Sequence, residues 1–330
     1  MSDTRFDIVA MGDAIVDVIA PCDPSFLTEN HLPAGSMQLL DPAQADALYA
    51  KMGVAEEHSG GSAANSMAGI AAMGGKAAFI GQVADDQFGG IFAHDLKSLG
   101  VAFDTPPLDP QAGLPTGRCL ILVTPDGQRT MNTAPGASHE LSADAIDPDL
   151  IRESGILYLE GYLFGPEKPR AAMMAARRIA HEAKREVAFT LSESVCIAER
   201  RDPFLEMING RGVDILFCNA DEVRMLTGAN DTDTAVASLR LSVPTIVVTD
   251  GPNGAAAWQD GRAVKVPAAP VDRIVDTTGA GDLFAAGFLV ARAKGADLEK
   301  SLQTGAIAAA EVISHYGARP GADLGKRIDL

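Results

Sequence analysis

Asp276-Thr277-Thr278-Gly279-Ala280-Gly281-Asp282-Leu283-Phe284 reads as a turn that becomes a helix. It follows the apolar pair Ile274-Val275, read here as a strand end, and opens a segment of alternating small and apolar residues from Leu283 to Ala293. The first N–H groups of a helix have no internal partners and lie at the positive end of its dipole, so such a junction can hold an anion. Gly279 and Gly281 would let the backbone come close to a phosphate, and Asp282, in the first turn, would face the same volume. A tight turn leading into a small-residue helix packed on a sheet would use the same residues. The rest of the chain has to decide between the two.

The 330 residues allow one large or two ordinary domains and a sizeable core. With 47% apolar and 22% charged residues, few aromatics and much Ala and Gly, the composition favours a helix-rich α/β architecture. A formal net charge of −17 argues against sequence-independent nucleic-acid binding and against an anionic membrane surface, which both draw on surplus Lys and Arg. A polyanion would have to be held by local donors and a metal. Cys22, Cys119, Cys196 and Cys218 are scattered without a C-x-x-C pair, which points to a reducing compartment and to neither a structural zinc nor a disulfide framework. Met1-Ser2-Asp3-Thr4-Arg5 leads directly into a strand, and no apolar run reaches spanning length, so a cytoplasmic protein is expected.

Along the chain, Phe6–Gly12 and Ala14–Ala20 read as strands, the second flanked by Asp13 and Asp17. These carboxylates could accept hydrogen bonds from ligand hydroxyls or simply cap turns. Ser59-Gly60-Gly61-Ser62-Ala63-Ala64-Asn65-Ser66 runs into a small-residue helix, Ala68–Met73. The glycine pair invites close approach of a ligand, and the Asn65 amide suits vicinal hydroxyls, although a close helix–helix contact would also explain both. Strand and helix then alternate: strands at Lys76–Val83, Ile156–Tyr162, Val187–Leu191, Asp214–Cys218 and Thr245–Thr249 are interleaved with helices such as Asp86–Ser98 and Ala220–Leu226. That alternation predicts a mainly parallel sheet covered on both faces, with ligands at the C-terminal strand ends. One hairpin breaks the pattern. Arg118–Val123 and Gln128–Thr133, joined by Thr124-Pro125-Asp126-Gly127, suggest a small side sheet acting as a lid.

Walker A, H-E-x-x-H and G-x-S-x-G motifs are absent, and Gly279-x-Gly281 lacks the third glycine of a dinucleotide fingerprint. What the chain does carry is four pieces in order: Gly60-Gly61 with Asn65; Asn219-Ala220-Asp221-Glu222; Thr249-Asp250-Gly251-Pro252-Asn253-Gly254; and Asp276–Phe284. With these pieces the chain resembles, over nearly its whole length, the PfkB (ribokinase-like) family of carbohydrate and nucleoside kinases. Within that family the likeness is strongest to adenosine kinases, through Gly12–Asp17, Phe26–Ala47 and Asp214–Asn219.

The resemblance implies a ribokinase-like three-layer α/β/α fold over residues 1–330, with a lid contributed by approximately 13–40 and 116–134. It implies an ATP- and Mg²⁺-dependent kinase acting on a small-molecule nucleoside or sugar, as monomer or homodimer. Asp282 would be the general base, and the N–H groups of Gly279, Ala280, Gly281 and Asp282 the anion hole. Asn219 and Glu222 would act on Mg²⁺ through water. Thr249, Gly251, Gly254 and Thr278 would border the nucleotide, as would the segment ending Gly317-Ala318-Arg319-Pro320. Asp276 and Thr278 would belong to a loop able to hold a monovalent cation such as K⁺. Asp13, Asp17, Gly60, Gly61, Asn65 and Tyr162 would line the acceptor. Asp13 departs from the amide of animal-type adenosine kinases, and the base-stacking rings are thin: Tyr162 and Phe164 are present, but Val195 stands where a second ring is expected. Arg129 on the hairpin would reach a phosphate, close over the site, or be an exposed surface residue. The expected reaction is phosphorylation of a 5′-type hydroxyl, adenosine first. A free sugar such as ribose or fructose is the main rival, and a non-catalytic ligand sensor is the reading from a different class.

Overall fold

In the computed structural model, which describes residues 4–321 and 324–329, the chain contributes strands to two sheets. In chain order the strands are β1 Phe6–Met11, β2 Ile15–Pro21, β3 Met37–Leu39, β4 Glu56–Ser59, β5 Ala77–Ile80, β6 Val101–Ala102 and β7 Gly117–Val123. They continue with β8 Arg129–Ala134, β9 Ser154–Glu160, β10 Glu186–Thr190, β11 Ile215–Asn219, β12 Thr245–Thr249, β13 Ala255–Gln259 and β14 Arg262–Val266.

The large sheet runs β14-β13-β12-β11-β10-β9-β1-β5-β6. From β12 to β6 every pairing is parallel, and only the β12–β13 and β13–β14 pairs at one edge are antiparallel. The parallel strands are Val/Ile/Leu/Ala-rich because helices cover both faces and leave no solvent side. On one face lie the helices Ser62–Ala72, Gln87–Ser98, Ala280–Ala293 and Leu298–Val312, and on the other Glu167–Glu182, Ser194–Ile208, Ala220–Thr227 and Thr232–Leu239. This is the ribokinase-like three-layer arrangement. No helix among the described residues is long and apolar enough to cross a membrane. Met1–Asp3, part of the stretch expected to lead into the first strand, lie outside the described residues.

The small sheet, β3-β8-β7-β2-β4, includes the expected Asp-Gly hairpin as β7 and β8. Its fifth strand, β4, had no counterpart in the sequence reading. Glu56-Glu57-His58-Ser59 contains no apolar residue, yet it pairs antiparallel with β2 at the sheet edge. The stretch before the key turn also differs from expectation. Ile274-Val275 is not a strand: Ile274 is exposed, and Val275 donates its N–H to the carbonyl of Ile313 at 2.8 Å, outside both sheets. The helix at Asp282 therefore starts from an irregular connection held by the C-terminal segment.

The helix Ala280–Ala293 is buried continuously from Leu283 to Ala291, as expected of a helix apolar on all sides. It lies between the helices Ser62–Ala72 and Leu298–Val312 at distances that leave no room for side chains. A Cβ on Gly69 would come 2.6 Å from Leu283, and one on Gly287 would come 2.6 Å from the Thr304 carbonyl. On the opposite face, Phe164, Phe189 and Phe204 form a buried triad with centroids 5.5–5.6 Å apart. Phe204→Ala should cost about 3–5 kcal/mol through lost burial and a residual cavity. Urea unfolding would register this as a lower midpoint with an unchanged m-value.

Candidate active site

The crossing of the helices Ser62–Ala72 and Ala280–Ala293 sets the centre of the site. Small residues at the crossing bring Asp282 against the first turn of the other helix. Ser62 Oγ donates to Asp282 Oδ1 at 2.6 Å, Asn65 Nδ2 donates to Oδ2 at 2.9 Å, and Ser66 Oγ donates to the Asp282 carbonyl at 3.0 Å. Burial pushes the Asp282 carboxyl above the usual carboxylate range, while the Ser62 and Asn65 bonds and the Arg319 charge pull it back. Gly279, at φ +78°, caps the helix, and Ala318 packs so tightly beneath it that a Cβ there would lie 2.7 Å from the Ala318 methyl. Gly281 faces open space. Of the four N–H groups expected to form an anion hole, Ala280 turns back to the Thr277 carbonyl at 3.2 Å. Those of Gly279, Gly281 and Asp282 have no partner among the described residues. The free set is therefore three.

Asp17 projects from β2 of the small sheet, and its carboxylate fills the space a Cβ on Gly60 would need, 2.4 Å away. It accepts no hydrogen bond from the described residues. Burial pushes its pKa up to about 6, against the lowering charges of Arg319, Arg129 and His58, and Asp282 adds a further upward push. Gly61, at φ +88°, passes so near the Asp13 carbonyl that a Cβ would lie 2.2 Å from it. The pair Gly60-Gly61 is thus required where the chain leaves the lid and enters the helix of Ser62 and Asn65.

Glu160, at the end of β9, is fully buried and was missed by sequence reasoning. Its two oxygens accept the N–H groups of Asp13 at 2.6 Å and Ala63 at 2.7 Å. It thereby ties the β1–β2 junction to the same helix start. The signal available in the sequence was a lone acid ending an apolar strand. Asp13 is buried too, with its carboxylate accepting from Ser138 Oγ and lying 3.9 Å from His139 Nε2.

Arg129 is not an exposed hairpin residue. Its Nη2 meets Asp276 Oδ2 at 2.6 Å, with the two side chains only 11% and 7% exposed. Asp276 also accepts the Thr278 N–H and hydroxyl at 3.1 and 2.7 Å and the Gly317 N–H at 2.9 Å. The small sheet, the turn and the C-terminal loop therefore meet at one carboxylate.

The other half of the site is open. Asn219 and Thr249 are register partners at the ends of β11 and β12. Asn219 and Glu222 form a reciprocal cap, Glu222 N–H to Asn219 Oδ1 and Asn219 N–H to Glu222 Oε2, both at 2.8 Å. Glu222 is buried rather than exposed, and burial raises its pKa. Gly251 faces open space, whereas Gly254, at φ +90°, lies against the Val266 carbonyl. Among the described residues no three His, Cys, Asp or Glu side chains are grouped so as to hold a metal ion.

Two aromatic expectations separate here. Tyr162 is partly buried, with its hydroxyl 3.4 Å from Glu193 Oε2. Phe164 belongs to the core triad and is not available to a ligand, while Val195 is half exposed.

Comparison with known proteins places this geometry in context. Residues 37–323 match the family described as pfkB family carbohydrate kinase. The crystal structure of adenosine kinase from Sinorhizobium meliloti superposes with a TM-score of 0.89 and 44% identity, covering 98% of each chain. A probable sugar kinase protein from Rhizobium etli CFN 42 superposes with a TM-score of 0.90 and 41% identity, also covering 98% of each. An uncharacterized sugar kinase of Archaeoglobus fulgidus is 30% identical over 77% of this chain and 97% of its own length.

Removing Arg129 strands a buried acid that retains only neutral donors. Arg129→Met should destabilise the lid contact by about 1–3 kcal/mol. Hydrogen exchange would detect this as faster exchange in β8 and at Gly317, with the core strands β9 and β10 unchanged.

Proposed function

The chain belongs to the pfkB carbohydrate kinase family, whose members transfer phosphate to hydroxyl groups, and on that footing we propose that it phosphorylates a nucleoside, adenosine foremost, at the 5′ hydroxyl using ATP. The observation that carries the nucleoside reading is the face of the small sheet beside Asp17. Alternate residues of a strand share a face, so Asp17 lies with Ile15 and Ile19, between His58 and Cys119, on a face that also carries Ile121 and Met131 and, at its polar side, Thr133 and Arg129. A carboxylate set in an apolar surface suits a ligand with a pair of hydroxyls and a flat apolar ring. The likeness to the Sinorhizobium meliloti adenosine kinase supports the same reading.

In the proposed reaction the acceptor hydroxyl lies between Asp17 and Asp282. An Asp282 oxygen takes the hydroxyl proton as the acceptor oxygen bonds to the γ-phosphorus, and the bond from that phosphorus to the β–γ bridging oxygen breaks, releasing ADP. The free N–H groups of Gly279, Gly281 and Asp282 stabilise charge on the phosphoryl oxygens. Thr249, Gly251 and Gly254 lie where the nucleotide would enter, on the open half. Carboxylates outnumber guanidiniums around the centre, which favours a polyphosphate arriving with its charge already screened. Magnesium, when bound, supplies that screening and polarises the phosphates. The donor set fits a phosphate-borne, partly hydrated ion: Glu222 keeps spare lone pairs beside its cap bonds, and no all-protein acidic cage is present among the described residues. The loop carbonyls of Asp276 and Thr278 are proposed to hold K⁺, so replacing KCl by a large organic cation should lower turnover.

A free sugar acceptor has its own support. Phe164 is locked in the core and Val195 offers no ring, leaving Tyr162 as the aromatic candidate. An ADP-release assay across adenosine, inosine, guanosine, ribose and fructose decides between them: adenosine is expected to show the highest kcat/KM, and turnover confined to free sugars overturns the nucleoside reading. Asp282→Asn should lower kcat by roughly 10²–10⁴-fold or more with ATP affinity little changed. Asp282 must be ionised to act, and burial raises its pKa, so activity should fall as pH drops through a value above the ordinary carboxylate range. Asp17, at about 6, contributes to the same acid limb.

A further inference from the structure

We propose that Arg319 is a positioning residue of the acceptor site: it grips both sides of the Gly60-Gly61 junction and supplies positive charge shared by Asp17 and Asp282. The inference rests on the kinase reading above for its consequences in turnover, and on the geometry alone for the contacts.

Arg319 follows Gly317 and Ala318, which are bolted to the turn that opens the catalytic helix. Gly317 donates to Asp276, and Ala318 packs under Gly279. From that anchor the guanidinium reaches the other side of the site. Nε donates to the Ser59 carbonyl at 2.9 Å, Nη1 to the Ala64 carbonyl at 2.8 Å, and Nη2 to both the carbonyl and the hydroxyl of Ser59 at 2.5 Å. Ser59 ends β4 of the lid, and Ala64 lies in the first turn of the helix that carries Ser62 and Asn65. Between them lies a glycine pair with little conformational restraint of its own. Ser59 is fixed in turn by Asp95, which accepts its N–H at 2.9 Å and its hydroxyl. A forked, planar cation can hold two carbonyls and a hydroxyl at once, which a lysine ammonium on a flexible stem does less rigidly.

The charge matters as much as the grip. Arg129, the other guanidinium near Asp17, is committed to Asp276 in a direct ion pair. Among the described residues Arg319 forms no such pair, since its partners are carbonyls and a hydroxyl. Its field acts on Asp17, Asp282 and Asp95 together. The other groups facing these acids are Arg129, His58 and Cys119 at Asp17, and Tyr158, Tyr162 and Glu160 at Asp282. Asp17 and Asp282 repel one another and are both desolvated, so without Arg319 each would take up a proton more readily.

The test uses the full chain labelled with ¹³C at the aspartate carboxyls, as wild type, Arg319→Gln and Arg319→Lys, with Asp17→Asn and Asp282→Asn assigning the signals. In Arg319→Gln, which keeps a donor but loses the charge, both carboxyl midpoints should rise by about one unit, and the acid limb of kcat/KM should move up with them. The acceptor KM should rise about tenfold with the ATP KM unchanged. In Arg319→Lys the midpoints should stay near wild type while the acceptor KM remains raised, because charge survives and the fork does not. Unshifted carboxyl midpoints in Arg319→Gln, or acceptor and ATP KM rising together, overturn the proposal. If Arg319→Gln does not fold, Arg319→Lys carries the test, and a shifted midpoint in that variant overturns the shared-charge role. The titration needs no turnover, so shifted carboxyls in a protein inactive on every acceptor would uphold Arg319 and sink the kinase reading instead.

Discussion

A carboxylate can be buried at the start of a helix only if donors reach it, and the Asp282 contact with Ser62 and Asn65 is where this protein meets that condition. The contact depends on how closely two helices approach, and the approach depends on side chains that are missing. A Cβ on Gly69 would come within 2.6 Å of Leu283 and 2.9 Å of Ala286 on the facing helix. Were the helices further apart, Asp282 would keep its burial and lose its partners, and the stable outcome would be a protonated acid. The same few ångströms therefore decide both whether this region packs and whether the Asp282 carboxylate keeps the donors that its proposed role as a base requires.

The lid is positioned by the same economy of contacts. Asp17, Cys119 and Thr133 are register partners across β2, β7 and β8, so Arg129, four residues from Thr133, projects on the face that carries Asp17. One strand face thus carries the Asp17 carboxylate toward Gly60 and a guanidinium to Asp276. A buried ion pair adds little net stability once desolvation is counted, but it tolerates few alternative geometries. What it contributes here is registration of the lid against the phosphate turn, and Gly317 on Asp276 extends that registration to the C-terminal loop.

Much of this was legible in the sequence wherever the backbone does the work. The parallel strands showed as apolar runs, the Asp-Gly hairpin as turn chemistry, and Asp276–Phe284 as a turn that becomes a helix. The misreadings share one physical cause, which is that they depend on partners distant in sequence. Ile274-Val275 is no strand because its backbone is held by the Ile313 carbonyl rather than by a sheet neighbour, and Ile274 is exposed. Strand β4 has no hydrophobic period because it lies at a sheet edge and is held by pairing with β2. Phe164 has the right composition and place for a stacking ring, yet Phe189 and Phe204 claim it for the core. Arg129 could not be distinguished from a solvated surface residue until Asp276 was brought beside it, and Glu160 reads as a strand end until its two N–H partners appear.

The two halves of the site consequently differ in what fixes them. The half proposed for the nucleotide consists of strand ends, glycines and helix N–H groups, features that any sequence with the right turns can reproduce. The half proposed for the acceptor consists of side chains: Asp17 and Asp282, both desolvated, kept from neutralisation by charges that come from the small sheet and the C-terminal loop. Its apolar wall is the partly buried Ile19 and Met131, with Ile15, Cys119 and Ile121 buried next to them. A free sugar would engage the carboxylates and leave that wall without a partner, so little binding energy would be drawn from it. A ligand carrying a ring beyond its hydroxyls would use both, and binding energy gained away from the reacting oxygen is what can hold that oxygen in line with the phosphate.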